Sequence, residues 1–98
     1  MAIETDLSKV LYALSDPSRL LIVQLLNESK GERRCGDFQD AVGVSKPTLS
    51  HHFAILRESG IINTRVDGNM KFNSLNREGL NRNFPGLLEA VLRSVISK

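Results

Sequence analysis

The run "QDAVGVSKPTLSHHFAIL", residues 39–56, leaves three residues between the end of one helix and the start of the next. Gly43 is a residue type that ends helices, Ser45 a type that caps them, and Pro47 falls in a first turn, where its missing N–H costs nothing. Two helices joined so tightly meet at a corner, and the flanking chain must cover both. The second, about Lys46 to Ser59, turns Leu49, Phe53 and Leu56 to one side. Lys46, Thr48, Ser50, His51 and Arg57 take more exposed aspects, and His52 flanks the core side. The first, "CGDFQDAVG", is expected to bury Phe38, Ala41 and Val42.

Upstream, Leu7, Val10, Leu11 and Leu14 recur at helical spacing. The pattern restarts behind Asp16 as N-cap and Pro17 in a first turn. Leu20, Leu21, Val23, Leu25 and Leu26 cover more than one side of this second helix, which predicts a central position, with Gly31 at its exit. After Gly60, "IINTRV", "DGN" and "MKFNSL" read as two strands joined by a turn at Asp67 and Gly68. Asn76 to Leu80 predicts a single turn, and a last helix begins near Pro85, with Asn83 or Phe84 at its cap. The sum is one domain over residues 1–98, mainly α with a small β-hairpin and about five helices. The tight helix pair spans about 36–59, the hairpin about 61–75, and the terminal helices about 5–14 and 84–97.

Leu87, Leu88, Val91, Leu92, Val95 and Ile96 make a broad apolar stripe on the last helix, beside Leu7, Val10, Leu11 and Leu14 on the first. This is more apolar surface than so small a domain requires, so a homodimer through these stripes is expected; the alternative is that they complete a monomer core. The chain has 41% hydrophobic and 24% charged residues, a balance that folds. No run reaches the roughly 18 apolar residues of a membrane span, and the acidic start "MAIETDLSKV" is unlike a secretory signal, so a cytoplasmic protein without a membrane partner is expected. Residues 33–77 hold seven basic against four acidic side chains, whereas residues 1–32 hold three against five. The basic excess lies around the helix pair and hairpin.

The adjacent histidines invite a catalytic or metal reading that their spacing opposes. Neighbours on a helix diverge by about 100°, no third histidine exists, and Cys35 is the single cysteine. Ser50 and His51 lack a nucleophile turn and an orienting acid, and no phosphate-binding glycine loop is present. Neither enzyme activity nor a cofactor is expected. A helix fits the DNA major groove, where hydroxyls and cations near its N-terminus reach bases and phosphates, while Arg65, Asn69 and Lys71 surround the hairpin turn.

Three stretches, in order, resemble the ArsR-type family of small bacterial winged helix-turn-helix repressors: "LSDPSRLLIVQLL" at 14–26, "VSKPTLSHHFAILRESGII" at 44–62, and "TRVDGNMKFNSL" at 64–75. The resemblance implies a dimeric repressor that releases a roughly palindromic operator when an inducer arrives, without identifying the inducer. It assigns groove contacts to Thr48, Ser50 and His51, phosphates to Lys46 and Arg57, and the wing to Arg65 and Lys71. Ser45 becomes a cap and His52 a structural histidine. Many metal sensors of this family carry a Cys-x-Cys pair before the recognition helix. Here "RRCGDF" places Arg34 and Gly36 at those positions, and the last helix offers Glu89 but no histidine, so metal sensing is disfavoured, with an interchain site through Cys35 left open. Cys35 is alternatively a redox sensor, if Arg33, Arg34 and a helix start favour its thiolate, or an inert packed thiol. The leading expectation is a sequence-specific repressor on double-stranded DNA with inverted half-sites. The alternative is an architectural or protein-interaction module without operator specificity.

Overall fold

The computed structural model describes residues 2–29 and 31–96, with side chains from Leu7 to Val95 within them. The order is α1 (Ala2–Ala13), α2 (Pro17–Ser29), a 3-10 turn (Cys35–Phe38) running into α3 (Gln39–Val42), α4 (Lys46–Glu58), β1 (Ile62–Asp67), β2 (Met70–Leu75), α5 (Arg77–Asn83) and α6 (Leu87–Ile96). Among the described residues, no helix is long and apolar enough to cross a membrane.

Asp16 Oδ2 accepts from the Ser18 and Arg19 amides at 2.8 and 3.3 Å, two of the donors a helix start leaves orphaned. α2 then buries Arg19, Ile22, Val23 and Leu26, an i, i+3, i+4, i+7 set. Leu20, Leu21 and Leu25 are only partly covered, so α2 has one buried face where the sequence suggested more. At the corner, the Gln39 side-chain amide donates to the Val44 carbonyl, and Ser45 Oγ accepts from the Thr48 amide at 3.3 Å. α4 stops in a Schellman motif: the Gly60 amide donates to Arg57 O and the Ile61 amide to Leu56 O. This needs a residue at φ 84°, which Gly60 supplies.

Leu49, Phe53 and Leu56 of α4 meet Val10 and Ala13 of α1, Ile22, Val23 and Leu26 of α2, and Ile61 and Ile62 in one buried cluster. Phe53 stacks on Phe38 with ring centroids 5.7 Å apart. Ala41 is exposed and Val42 half-buried, because α3 is too short to turn a whole face inward. The strands pair antiparallel from Ile62↔Leu75 to Asp67↔Met70, leaving Gly68 and Asn69 as a two-residue loop. Asn76 Oδ1 caps α5 by accepting from the Gly79 amide at 3.1 Å, and its Nδ2 donates to Gly60 O at 2.9 Å. α5 extends beyond the single turn expected because Leu80 is buried.

The last helix begins at Leu87 instead of near Pro85, since Gly86 adopts φ 87° and closes a turn there. α6 packs on α2 and α5, and α1 on α4. Val10, Leu88 and Leu92 are buried within the protomer, where they fasten the terminal helices to their own core. Leu7 and Leu11 are exposed, as is Tyr12, while Leu14, Leu87, Val91 and Val95 are half-buried. The expected place of Ile96 in the stripe lies outside the described side chains.

Phe53→Ala removes the central ring of this cluster and is expected to cost about 3–5 kcal/mol, read as a fall in the urea midpoint.

Candidate nucleic-acid interface

α4 has two faces with different chemistry. Leu49, His52, Phe53 and Leu56 are buried, while Lys46, Thr48, Ser50, His51 and Arg57 are exposed. Ser45 Oγ donates to Thr48 Oγ1 at 2.9 Å, so the Thr48 oxygen is engaged by the cap. The two histidine rings diverge, with centroids 6.4 Å apart.

His52 is 8% exposed and lies against Arg19, itself 6% exposed. Arg19 Nη1 is 3.1 Å from His52 Nδ1, while Nε donates to Ala13 O at 2.7 Å and Nη2 to Tyr12 O at 3.4 Å. A guanidinium only donates, so Nδ1 accepts and the ring proton sits on Nε2, which faces Asp16 Oδ2 at 3.9 Å. The arginine also lies over the Tyr12 ring, 5.3 Å from its centroid. One buried cation thus ties the end of α1 to α2 and to the inner face of α4, and it fixes which histidine points out.

The hairpin separates two residues that the sequence had grouped. Lys71 pairs across from Val66, two positions from the Thr64↔Asn73 pair, so these four share a face. Arg65 belongs to the opposite face. There it makes a bidentate contact to Glu32, with Nε and Nη2 each 2.9 Å from a carboxylate oxygen; Asp67 lies 3.8 Å away, and the Phe72 ring 4.8 Å below. Hydrogen bonds from Arg65 hold the Glu32 carboxyl below its ordinary range, and those bonds in turn raise Arg65. The Arg65 charge is therefore answered within the protein, whereas Asn69 at the loop and Lys71 are exposed.

Cys35 lies beside α4, near Ser50, Arg57 and Lys46. Burial pushes its thiol up from the ordinary value, and a hydrogen bond from Ser50 with the charges of Arg57 and Lys46 pulls the other way without cancelling it. Arg33 and Arg34 do not supply the expected activation: Arg33 Nη1 donates to Glu32 O at 3.0 Å, and Arg34 lies 3.9 Å from Asp37. The helix start at Cys35 is a four-residue 3-10 turn. Among the described residues, no group of three or more His, Cys, Asp or Glu side chains is arranged to hold a metal ion.

Arg19, Glu32, Thr64 and Asn73 escaped the sequence reading. Arg19 had a usable signal, since it stands three and four residues before Ile22 and Val23 on the inner face of α2.

His52→Leu leaves Nη1 of the buried Arg19 without its acceptor and is expected to cost about 1.5–3 kcal/mol in chemical denaturation, part of which His52→Asn restores by placing an oxygen near the Nδ1 position. The raised Cys35 thiol means the unfolded chain ionises first. Its contribution is complete below about pH 8.5 and is lost as pH rises through the folded value. The difference between the denaturant midpoints of the parent and Cys35→Ser is therefore expected to stay constant below that pH and to change only on the alkaline side, where the parent loses stability.

The profile described as "Bacterial regulatory protein, arsR family" matches residues 16–64. The HTH-type transcriptional regulator YceK of Bacillus subtilis is 38% identical over 84 residues, 86% of this chain and 84% of that protein. The arsenical resistance operon repressor of Staphylococcus xylosus is 44% identical over 75 residues, covering 76% of this chain and 70% of that one. Among solved structures, the homodimeric winged helix-turn-helix DNA-binding domain (fragment 1–100) of Mb0332 from Mycobacterium bovis superposes with a TM-score of 0.75 at 26% identity, over 98% of this chain and 82% of that one. The match spans α2, the corner and α4, where the buried arginine, the cap and the exposed face lie, and the architecture around them is that of a winged helix. The chain belongs to the arsR family of bacterial regulatory proteins, as a DNA-binding transcriptional regulator.

Proposed function

We propose that the chain is a sequence-specific repressor that binds operator DNA in the cytoplasm as a homodimer. The observation that carries this reading is the outer face of α4: Lys46, Ser50, His51 and Arg57 stand exposed while the Arg19–His52 contact anchors the face behind them. His51 and Ser50 would meet base edges, with Thr48 at the groove entrance. Lys46 and Arg57 would meet phosphates, and Lys71 would extend the contact from the wing with Asn69 at its tip. Arg65 is a poorer candidate, because a phosphate must displace Glu32 to reach it. The exposed Leu7 and Leu11, with Leu87, Val91 and Val95 on α6, offer the apolar surface for a second copy. The homodimeric M. bovis domain supports that assembly.

In such a dimer the two copies of α4 enter successive major grooves about 34 Å apart, which calls for an inverted repeat. Bound DNA is closed to polymerase. A signal releases it only by binding better to a protomer arrangement with a different spacing, since equal affinity for both arrangements shifts nothing.

The test is selection from fragmented bacterial DNA in competition with random DNA at about 0.15 M salt. The expected result is an enriched inverted repeat bound about 1000-fold better than random sequence. Retention without preference would instead indicate an architectural role, and no retention by a folded dimer would indicate a protein-interaction module. With the selected repeat, His51→Ala is expected to relax base preference. Lys71→Ala is expected to weaken specific and nonspecific binding alike and to reduce the salt slope by about one.

A further inference from the structure

We infer that Thr64 and Asn73 are positioning residues that lock the wing to the recognition helix, so that each protomer presents both to DNA as one rigid reading head. The inference rests on the DNA-binding reading above, and its evidence is a hydrogen-bonded chain across four parts of the fold. Arg57 Nε on α4 donates to Thr64 Oγ1 on β1 at 3.0 Å. Thr64 Oγ1 donates to Asn73 Oδ1 on β2 at 2.8 Å, and Asn73 Nδ2 donates to Arg33 O at 3.2 Å.

The direction of this relay is fixed from both ends. A guanidinium can only donate and a backbone carbonyl can only accept. The Asn73 amide must therefore turn its NH2 towards Arg33, which leaves its oxygen facing Thr64. Thr64 then has to give its one proton to Asn73 and take the Arg57 Nε–H on a lone pair. Every group has its complement, and Asn73, at 2% exposure, is the most deeply sealed polar side chain among the described residues.

A two-stranded hairpin has little stability of its own, so its posture is set by what it touches. The bidentate Glu32–Arg65 pair on the other face ties the hairpin to the loop that precedes α3 and does not reach α4. The relay is the side-chain link that joins the hairpin to α4. It is reinforced by a two-way backbone bridge in which the Arg33 amide donates to Asn73 O at 2.8 Å and the Asn73 amide to Arg33 O at 2.7 Å. Lys71 stands on the face of the hairpin that carries Thr64 and Asn73, so the tether sets the position of the wing cation relative to Arg57. Arg57 spends its Nε–H on Thr64 and keeps its terminal amino groups for phosphate.

The experiment reads how much operator affinity Lys71→Ala costs in several backgrounds, using the duplex selected above. In the parent and in Thr64→Ser, which keeps the hydroxyl, the cost is expected to be full and equal. In Thr64→Val it is expected to shrink by about fivefold, because a loosened wing no longer holds Lys71 at its phosphate. Arg57→Lys keeps the charge but not the directed Nε–H, lies on the surface, and is expected to shrink the cost likewise; it decides the matter if Thr64→Val fails to fold. An unchanged Lys71→Ala cost in folded Thr64→Val, or in Arg57→Lys when Thr64→Val does not fold, would overturn the lock while leaving the DNA-binding reading intact. A Lys71→Ala cost of nil in the parent would remove the wing contact itself, and the inference with it.

Discussion

A single buried cation organises the reading surface. Arg19 is taken out of water where α1, α2 and α4 meet, and a charge so placed costs several kcal/mol unless its donors are matched. The match comes from the carbonyls that close α1, the negative end of its helix dipole, and from the lone pair of His52. That lone pair can face Arg19 only when α4 is rotated with His52 inward. One step along the helix, about 100° away, His51 is then turned out. The adjacent histidines thus divide into a buried anchor and an exposed side chain proposed to read bases.

A second constraint acts at the other end of α4. Its C-terminus is closed by Gly60, whose carbonyl receives Asn76, while Arg57 reaches across to Thr64. The helix that faces DNA is therefore held by α1 and α2 through His52, by α5 through its closing loop, and by the wing through the relay. With so many attachments inside one protomer, a change in DNA affinity is most easily produced between protomers, across the interface proposed for the exposed residues of α1 and the half-covered stripe of α6. This agrees with a switch that alters the distance between two intact reading heads.

The recognition helix was legible in the sequence because its signals are local: a serine cap, a proline in the first turn, a glycine stop and a 3.6-residue apolar period. The hairpin was legible for the same reason, through Asp67, Gly68 and Asn69. What escaped is what depends on distant pairing. Asn73 bonds a carbonyl 40 residues away, and Arg65 reaches a carboxylate 33 residues away. The neighbours of Cys35 come from α4 instead of the arginines beside it in sequence. Arg65 and Lys71 were grouped as wing cations, yet the observed register places them on opposite faces, which follows only once the loop is known to be Gly68 and Asn69. Arg19 hid in an apolar helix because hydrophobic counting passes over a cation even when it stands on the buried stripe.

The most direct test of the account is to titrate the 15N-labelled protein with its selected operator duplex and follow each backbone amide by NMR. The account predicts that the largest perturbations run along Lys46, Ser50, His51 and Arg57 and continue at Asn69 and Lys71, while Leu11 and Tyr12 on α1 stay where they were. Perturbations confined to α1 and α6, with α4 and the wing unmoved, would contradict it.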